Sequence, residues 1–188
     1  MRVIAGKARR LKLIAPPGYD TRPTSDQIKE TLFNVLMPYL ADAVFLDLYS
    51  GSGGIGIEAL SRGAKKAVFV ERAKPAIKCI TENLNTTKLA EEAQIYPMEV
   101  MSALRQMEGR IQFDIIFMDP PYGHELEKEV LYYLASSSLL HKDTLIVVEA
   151  SNETDFEYVT KDAALHMDII KCKRYKTNSH LFIQKRQD

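Results

Sequence analysis

The chain has 188 residues, of which 46% are hydrophobic and 27% are charged, and its formal net charge at pH 7 is zero. This length suits one domain with a sizeable core, and the composition excludes a disordered or membrane-spanning chain. The neutral total also excludes a globally basic protein, although basic residues are concentrated at both ends of the sequence.

Residues 1–15 alternate weakly between apolar and polar side chains and contain Gly6, which predicts a short hairpin or an extended arm. Basic side chains precede the first acidic residue, Asp20, and these are Arg2, Lys7, Arg9, Arg10 and Lys12. The N-terminus lacks the long apolar core of a signal peptide, and the two cysteines form no redox or metal spacing. We therefore expect a cytoplasmic protein that holds no metal.

A helix is predicted after this arm, because Thr24 or Ser25 can cap it and Pro38 lies near its end. Its predicted apolar face consists of Ile28, Leu32, Val35 and Leu36. We expect residues 1–40 to form a basic extension and residues 41–188 to form the main domain.

From Val44 onward the pattern alternates between strands and helices. Strands are predicted at 44–48, 66–71, 93–97, 113–118 and 143–149. Helices are predicted at 54–62, 74–88, 100–107 and 124–136. Two more strands, near 165–173 and 180–185, suggest an antiparallel hairpin. The predicted fold is a doubly wound, mostly parallel, seven-stranded Rossmann-like α/β sheet with this C-terminal hairpin and a small N-terminal extension.

A glycine-rich segment follows the first strand, in which Gly51, Gly53 and Gly56 fit the pattern G-x-G-x-x-G. This pattern indicates a nucleotide-type cofactor, although it also serves NAD enzymes. Asp47, inside the strand, can accept a hydrogen bond from the amino group of a methionine moiety, whereas a pyrophosphate favours N–H groups. Glu71 ends the second strand, where its carboxylate can accept both ribose hydroxyls. Together these residues predict bound S-adenosylmethionine.

The fourth strand is followed by a second informative segment, Asp119-Pro120-Pro121-Tyr122. An aromatic amine is a poor nucleophile, because its lone pair is delocalised into the ring. The Asp119 carboxylate and the Pro120 carbonyl can hold both N–H bonds, and Tyr122 offers a face on which a base can stack. The segment therefore predicts methyl transfer to an exocyclic amino group of a nucleobase. A rigid turn with a capping aspartate is the simpler alternative.

Further candidates lie near these two segments. Glu99, after the third strand, can accept a hydrogen bond from the adenine amino group or can cap the next helix. The methionines at 98, 101 and 107 are expected to pack in the core.

At this point the chain resembles the bacterial 16S rRNA (guanine(966)-N2)-methyltransferase family, within the class I S-adenosylmethionine-dependent methyltransferases. The resemblance covers essentially the whole chain, and its motifs occupy residues 22–26, 30–34, 47–53, 58–63, 119–122, 174–175 and 177. The motif at 22–34 is the most specific, since generic methyltransferases lack it. In this family basic residues are usual at the positions of Gln27 and Lys29, and a glycine is common where Lys176 stands.

The resemblance implies a guanine N2 target in 16S rRNA of the small ribosomal subunit. We also expect the protein to be a monomer. Catalytic residues are then predicted at Asp119, Pro120, Pro121 and Tyr122. Cofactor-binding residues are predicted at Asp47, Tyr49, Ser50, Gly51, Ser52, Gly53, Glu71, Arg72, Glu99 and Val100. RNA contacts are predicted at Arg9, Arg10, Arg22, Thr24, Arg174 and Tyr175, since cationic flanks attract phosphates.

Alternative functions stay open on sequence alone. An adenine-N6 or cytosine-N4 DNA methyltransferase uses the same Asp-Pro-Pro-Tyr chemistry, but the chain has no room for a large target-recognition domain. An NAD-dependent oxidoreductase shares the glycine pattern but does not need the second segment. A non-catalytic RNA-binding module is disfavoured by the intact carboxylates.

Overall fold

The computed structural model describes residues 1–16 and 25–187 and confirms the predicted alternation of strands and helices. The strands are β1 (Val44–Leu48), β2 (Lys66–Val70), β3 (Ala93–Tyr96), β4 (Phe113–Met118), β5 (Leu140–Ser151), β6 (Met167–Arg174) and β7 (Asn178–Lys185). The helices are α1 (Asp26–Leu40), α2 (Gly54–Ser61), α3 (Lys74–Thr87), α4 (Val100–Met107), α5 (Leu126–Ala135) and α6 (Glu157–Lys161). No helix within the described ranges is long and apolar enough to cross a membrane.

The strands form one sheet in the order β3-β2-β1-β4-β5-β7-β6. Strands β1 to β5 are parallel, and β7 pairs antiparallel with both β5 and β6. The predicted fold class is therefore confirmed, including the C-terminal hairpin at one edge. The strand order reverses between β1 and β4, where Leu48 pairs with Met118, so the segments that follow these strands emerge side by side.

Both faces of the sheet are covered, which explains why its strands are continuous apolar runs. Successive side chains point to opposite faces. Phe45 belongs to the cluster under α1, α2 and α3, and Leu46 belongs to the cluster under α4, α5 and α6. Both side chains are fully buried. The segments that leave the strand ends are thus anchored in a packed core.

The structure changes some predicted boundaries. Strand β5 begins at Leu140, not at 143, because it continues through a register shift opposite Phe113 and Ile115. Helix α5 begins at Leu126, not at 124, because Glu125 adopts a left-handed backbone with φ of 51°. Helix α6 was not predicted, since five residues with one buried side chain, Val159, carry too little periodicity.

The N-terminal arm is a short hairpin, as predicted, with an antiparallel bridge between Arg2 and Lys12. Its apolar residues Val3, Ala8 and Leu13 are buried in the same cluster as α1 and α2. The arm therefore packs into the core beside the first helices of the main sheet.

Helix α1 is capped by Ser25, whose side chain accepts a hydrogen bond from the Ile28 N–H. Its predicted apolar face is rotated, because Ile28 and Val35 are only partly buried. The buried residues are Lys29, Leu32, Phe33, Leu36 and Leu40. The Lys29 ammonium lies 3.1 Å from the Glu58 carboxylate, and both side chains are almost completely inaccessible to solvent. This lysine is therefore withdrawn from any RNA surface.

Candidate active site

The glycine-rich segment turns sharply between β1 and α2. Gly53 precedes α2 with φ of 79°, a left-handed conformation that side chains rarely adopt. Gly56 lies in the first turn of α2, where an added Cβ atom would come within 2.4 Å of the Phe69 ring. Glycine at this position thus allows the helix to pack directly on β2.

Asp47 lies beneath this turn and is 2% exposed. Its Oδ2 accepts a hydrogen bond of 2.9 Å from the Gly56 N–H. Burial raises the pKa of Asp47 to about 7, the Gly56 hydrogen bond offsets part of this rise, and the charge of Glu71 adds to it. The predicted contact with a methionine amino group stays a prediction, but this carboxylate already supports the cofactor loop from below.

Glu71 organises the same loop from the end of β2. Its Oε2 accepts from the Gly51 N–H at 2.9 Å, and its Oε1 accepts from the N–H groups of Arg72 and Ala73, each at 2.8 Å. A carboxylate has about four lone-pair positions, so about one remains free. In this geometry we expect Glu71 to accept one ribose hydroxyl, where the sequence suggested two.

Ser50 and Glu99 contact groups that sequence reasoning had not anticipated. The Ser50 hydroxyl donates to the Asp47 carbonyl at 2.6 Å and accepts from the Val70 N–H at 3.0 Å, so it ties β1 to β2. The Glu99 side chain forms no cap on α4 and instead accepts from the Arg72 guanidinium at 2.7 Å. Both members of this ion pair are largely exposed.

A cavity of about 790 Å³ opens where the segments after β1 and β4 meet. The predicted residues in its wall are Tyr49, Gly51, Ser52, Glu71, Arg72, Glu99, Val100, Asp119, Pro120, Pro121, Tyr122 and Tyr175. Asp47, Ser50 and Gly53 are predicted cofactor residues that are not part of this wall. Met98 and Met101 are partly buried against the core cluster, as predicted, and also line the cavity, whereas Met107 is fully buried in that core.

The Asp-Pro-Pro-Tyr segment forms one side of this cavity. Asp119 is partly buried, Pro120 is buried, and the Tyr122 side chain is 48% exposed. Burial, the charge of Glu149 and the charge of Asp47 hold the pKa of Asp119 well above its usual range. The simpler alternative, a capping aspartate, is not what the described residues show, because none of them donates a hydrogen bond to this carboxylate.

Sequence reasoning missed a polar cluster beside Asp119. Glu149 ends the apolar part of β5, and His180 faces it from β7. The Glu149 Oε2 lies 3.0 Å from the His180 Nε2, and its Oε1 accepts from the Asn178 amide. The His180 Nδ1 lies 3.2 Å from the Tyr175 hydroxyl. No local spacing signals this cluster, because the pairing of the two strands assembles it.

The predicted RNA contacts fall in separate places. Arg174 is exposed at the end of β6, and Tyr175 follows it in the cavity wall. Arg22 and Thr24 lie outside the described residues. Arg9 and Arg10 are exposed at the tip of the arm.

The arm tip is fixed to the far end of α2, where the Lys7 N–H donates to the Ser61 carbonyl at 2.8 Å. Arg9 and Arg10 border a second concavity there, together with Arg2 and Arg62. Because α2 has eight residues, this tip lies about 12 Å from the loop at the other end of the helix.

Comparison with known proteins shows that this chain is similar to methyltransferases. Ribosomal RNA small subunit methyltransferase D of Escherichia coli K12 is 37% identical over 168 residues, which cover 89% of this chain and 83% of that protein. The protein of the same name from Haemophilus influenzae is 38% identical over 154 residues, covering 81% and 80%. The solved structure of yhhF from Escherichia coli matches all of this chain and 99% of that one, with 32% identity and a TM-score of 0.84.

The model of the family described as Conserved hypothetical protein 95 matches residues 1–184. Nearly the whole chain is covered, including the arm, both cavity segments and the C-terminal hairpin. The resemblance inferred from the motifs is confirmed, and the chain belongs to this family.

Proposed function

We propose that this protein transfers a methyl group from S-adenosylmethionine to the exocyclic N2 of a guanine in 16S rRNA of the small ribosomal subunit. Its relatives are named as ribosomal RNA small subunit methyltransferases, which supports the methylation of rRNA. The observation that carries the proposal is that Asp119 and Tyr122 lie in the wall of the same cavity as Gly51 and Glu71. A methyl donor and a base can therefore meet in one enclosed space.

The cavity fits the donor. Its volume of about 790 Å³ suits a ligand of nucleoside size. Met98, Met101 and Val100 offer apolar contacts for an adenine ring, and Glu71 and Glu99 offer acceptors for hydroxyl and amino groups. Asp47 supplies negative charge below the loop, which suits the cationic amino group of a methionine moiety. S-adenosylmethionine supplies an electrophilic methyl group on a sulfonium, so the protein needs no strong nucleophile of its own.

The second segment acts on the amine. The Asp119 carboxylate accepts one N–H of the exocyclic nitrogen, and the Pro120 carbonyl accepts the other. With both N–H groups held, the nitrogen lone pair is drawn out of conjugation and directed at the methyl group. The half-exposed Tyr122 ring offers a stacking face for a base taken out of its helix. These contacts select an amino group, and the surrounding wall selects the base.

The arm and the C-terminal hairpin supply the RNA-binding surface. We propose that residues 1–40 act as an RNA-binding extension although the arm packs into the core. Arg9, Arg10 and Arg174 are exposed cations that suit phosphates, and Tyr175 borders the base. A small-subunit rRNA substrate would also support the expected cytoplasmic location.

Label transfer tests this proposal. The protein is incubated with methyl-labelled S-adenosylmethionine and, separately, with 16S rRNA, small ribosomal subunits and duplex DNA. The nucleosides are then separated, with Asp119→Ala as the blank. We expect label in N2-methylguanine from 16S rRNA. Label in N6-methyladenine or N4-methylcytosine from DNA would instead establish the alternative enzyme that uses the same turn.

Calorimetry separates the two cofactor classes. We expect S-adenosylhomocysteine to bind with a dissociation constant of roughly 1 μM to 1 mM, the range usual for metabolite sites. NAD should give no heat, since the loop between β1 and α2 is backed by carboxylates. Tight binding of NAD alone would contradict the proposal and favour an oxidoreductase.

A further inference from the structure

The polar cluster of Glu149, His180, Tyr175 and Asn178 contains more mutually hydrogen-bonded groups than the packing of β5 against β7 requires. His180 is fully buried and Glu149 is 5% exposed, so both polar side chains lie inside the sheet region. Burying such groups is costly unless every polar atom has a partner. Here both imidazole nitrogens and both carboxylate oxygens have one. The cluster therefore fixes one arrangement of Glu149.

Strand register places Glu149 next to Asp119. Met118 pairs with Val148 in the parallel ladder between β4 and β5. Asp119 directly follows β4, Glu149 is the next residue on β5, and neighbouring strands run about 4.8 Å apart. Both residues line the cavity, and the pKa of Asp119 is raised by burial first and by the charge of Glu149 second. Two carboxylates thus share one side of the proposed amine site.

The hydrogen-bond pattern fixes the partners of Glu149. A carboxylate accepts, so the His180 Nε2 donates to the Glu149 Oε2 across 3.0 Å. The other ring nitrogen lies 3.2 Å from the Tyr175 hydroxyl, and Tyr175 is in the cavity wall. Asn178 donates its amide N–H to the second oxygen of Glu149. Two donors, the His180 ring and the Asn178 amide, therefore hold the two oxygens of Glu149 in place.

The proposed reaction leaves a proton to be removed. As the carbon–sulfur bond breaks, its electron pair stays on sulfur, and the nitrogen lone pair forms the new carbon–nitrogen bond. Positive charge passes from sulfur to nitrogen, and the nitrogen must then lose one of its two protons. The carboxylate that already holds an N–H of this nitrogen is Asp119. Its electron pair can take the proton, which leaves a neutral secondary amine.

We propose that Glu149 is a positioning residue whose charge, held in place by His180 and Asn178, makes Asp119 the acceptor of the proton released from the methylated amine. This inference rests on the proposed amine chemistry at Asp119. It extends that proposal to residues of β5 and β7, to which the family motifs assign no part in the reaction. Tyr175, predicted as an RNA contact, becomes a support for His180 as well.

Other charged or titratable groups interact with Asp119 or line the same cavity, and the test has to separate them from Glu149. They are Asp47 on β1, Tyr49 after it, Tyr122 in its own turn, Glu129 on α5, and Tyr175 and Lys176 between β6 and β7.

Carbon-13 NMR of the Asp119 carboxyl group tests the inference without any substrate. Aspartate is labelled at the carboxyl carbon, and Asp119→Asn assigns the signal. Glu149→Gln keeps the shape and one acceptor oxygen but removes the charge. We expect the Asp119 titration midpoint to fall by about one pH unit or more, because a like charge has been removed. An unchanged midpoint would overturn the inference.

Glu108→Gln is the matched control. Glu108 also sits in a hydrogen-bonded cluster, with Ser137, Ser138 and Tyr133, but it lies outside the cavity wall. We expect this variant to leave the Asp119 midpoint unchanged. An equal shift in this control would also count against a specific role of Glu149.

Two substitutions of His180 test how Glu149 is held. Gln can still donate an N–H to Glu149, whereas Phe cannot. We expect His180→Phe to behave like Glu149→Gln and His180→Gln to behave like the wild type. If both variants match the wild type, His180 has no part in the effect.

Kinetics then ties the titration to turnover. In Glu149→Gln we expect kcat to fall about tenfold, the acid limb of its pH profile to move to lower pH, and KM for S-adenosylmethionine to stay constant. A lower kcat with an unmoved acid limb would refute the inference. If the wild type methylates no RNA, the proposed function fails, while the NMR titration still decides whether Glu149 tunes Asp119.

Discussion

The two walls of the cavity hold their carboxylates in different ways. On the wall proposed to hold the cofactor, Glu71 accepts three backbone N–H groups and Asp47 accepts one from Gly56. On the wall proposed to hold the base, Glu149 is held only by side chains, and Asp119 has no donor among the described residues. Backbone donors therefore fix the loop after β1, whereas the carboxylate of Glu149 is fixed by side chains of β7.

This difference matches two tasks. A cofactor site has to present a fixed surface, and backbone hydrogen bonds provide it because they follow from the course of the chain. A site that grips an amine and then takes its proton needs a carboxylate with raised basicity. Substitutions on the cofactor side should therefore change affinity and stability, whereas substitutions on the base side should change turnover.

The largest effect is expected from Asp119→Ala. Removing the acceptor should lower kcat by about 10³-fold, because the amine is then neither held nor deprotonated. Affinity for S-adenosylhomocysteine, measured by calorimetry, should stay within about twofold, since Asp119 is assigned to the base. Asp119→Asn keeps one acceptor oxygen and should retain partial activity. Full activity of the alanine variant would falsify this division between the walls.

Asp47→Asn should produce the next largest effect, in the pH dependence of stability. Burial raises the pKa of Asp47 to about 7 in the folded protein, whereas an unfolded chain ionises near pH 3.9. Between these values the folded state binds a proton that the unfolded state does not. The free energy of unfolding of the wild type should therefore decrease as pH rises through this window.

The Asp47→Asn variant has no carboxyl group to ionise at this position, so its free energy of unfolding does not fall in this way as pH rises. From pH 4 to pH 8 its stability relative to the wild type should grow by up to about 4 kcal/mol, at about 1.4 kcal/mol for each pKa unit. Urea unfolding at several pH values measures the change, and calorimetry should show weaker binding of S-adenosylhomocysteine. Asp168→Asn is the control, because Arg186 lowers the pKa of Asp168 and its contribution has the opposite sign. A pH-independent difference for Asp47→Asn would contradict the argument.

The sequence predicted both cavity segments, because each of them is a continuous stretch of the chain. The glycine-rich loop and the Asp-Pro-Pro-Tyr turn follow directly after apolar strands, so their positions can be predicted without tertiary information. Glu149 and His180 are 31 residues apart and meet only through the register of β5 and β7. Lys29 has the pattern of a solvated helix residue, and its burial follows from two tertiary contacts, the ion pair with the buried Glu58 and the hydrogen bond that it donates to the Arg2 carbonyl.

Gly56→Ala tests whether close packing of α2 on β2 supports the wall that is proposed to hold the cofactor. The added methyl group would lie 2.4 Å from the Phe69 ring and 3.1 Å from the Asp47 carboxylate, which forces the loop away from β2. We expect a loss of about 1–3 kcal/mol in stability, as for overpacked cores, together with weaker cofactor binding.

Gly54→Ala is a matched control on the same helix. Its methyl group would meet only the flexible end of Met1, which can move aside. This variant should unfold at nearly the same denaturant concentration as the wild type, or at a slightly higher one, since alanine favours helices. Equal destabilisation of both variants would show that the packing of Gly56 on Phe69 is not the cause.

The smallest effect is expected outside the cavity, at the arm tip. Arg9 and Arg10 are exposed and form no ion pair with any described carboxylate, so their charges are available to phosphates. Replacing both with alanine should remove about two phosphate contacts and lower the slope of log affinity against log salt by about 1.4 to 1.8. Cofactor affinity and the kcat at saturating RNA should stay unchanged, because the tip lies at the far end of α2 from the cofactor loop.

Arg186→Ala is the control, since that arginine is paired with Asp168 on β6, the strand at the other edge of the sheet. Filter binding of 16S rRNA over a range of salt concentrations measures the slope, and an unaltered slope in the double variant would reduce the arm to a structural element that packs on α2.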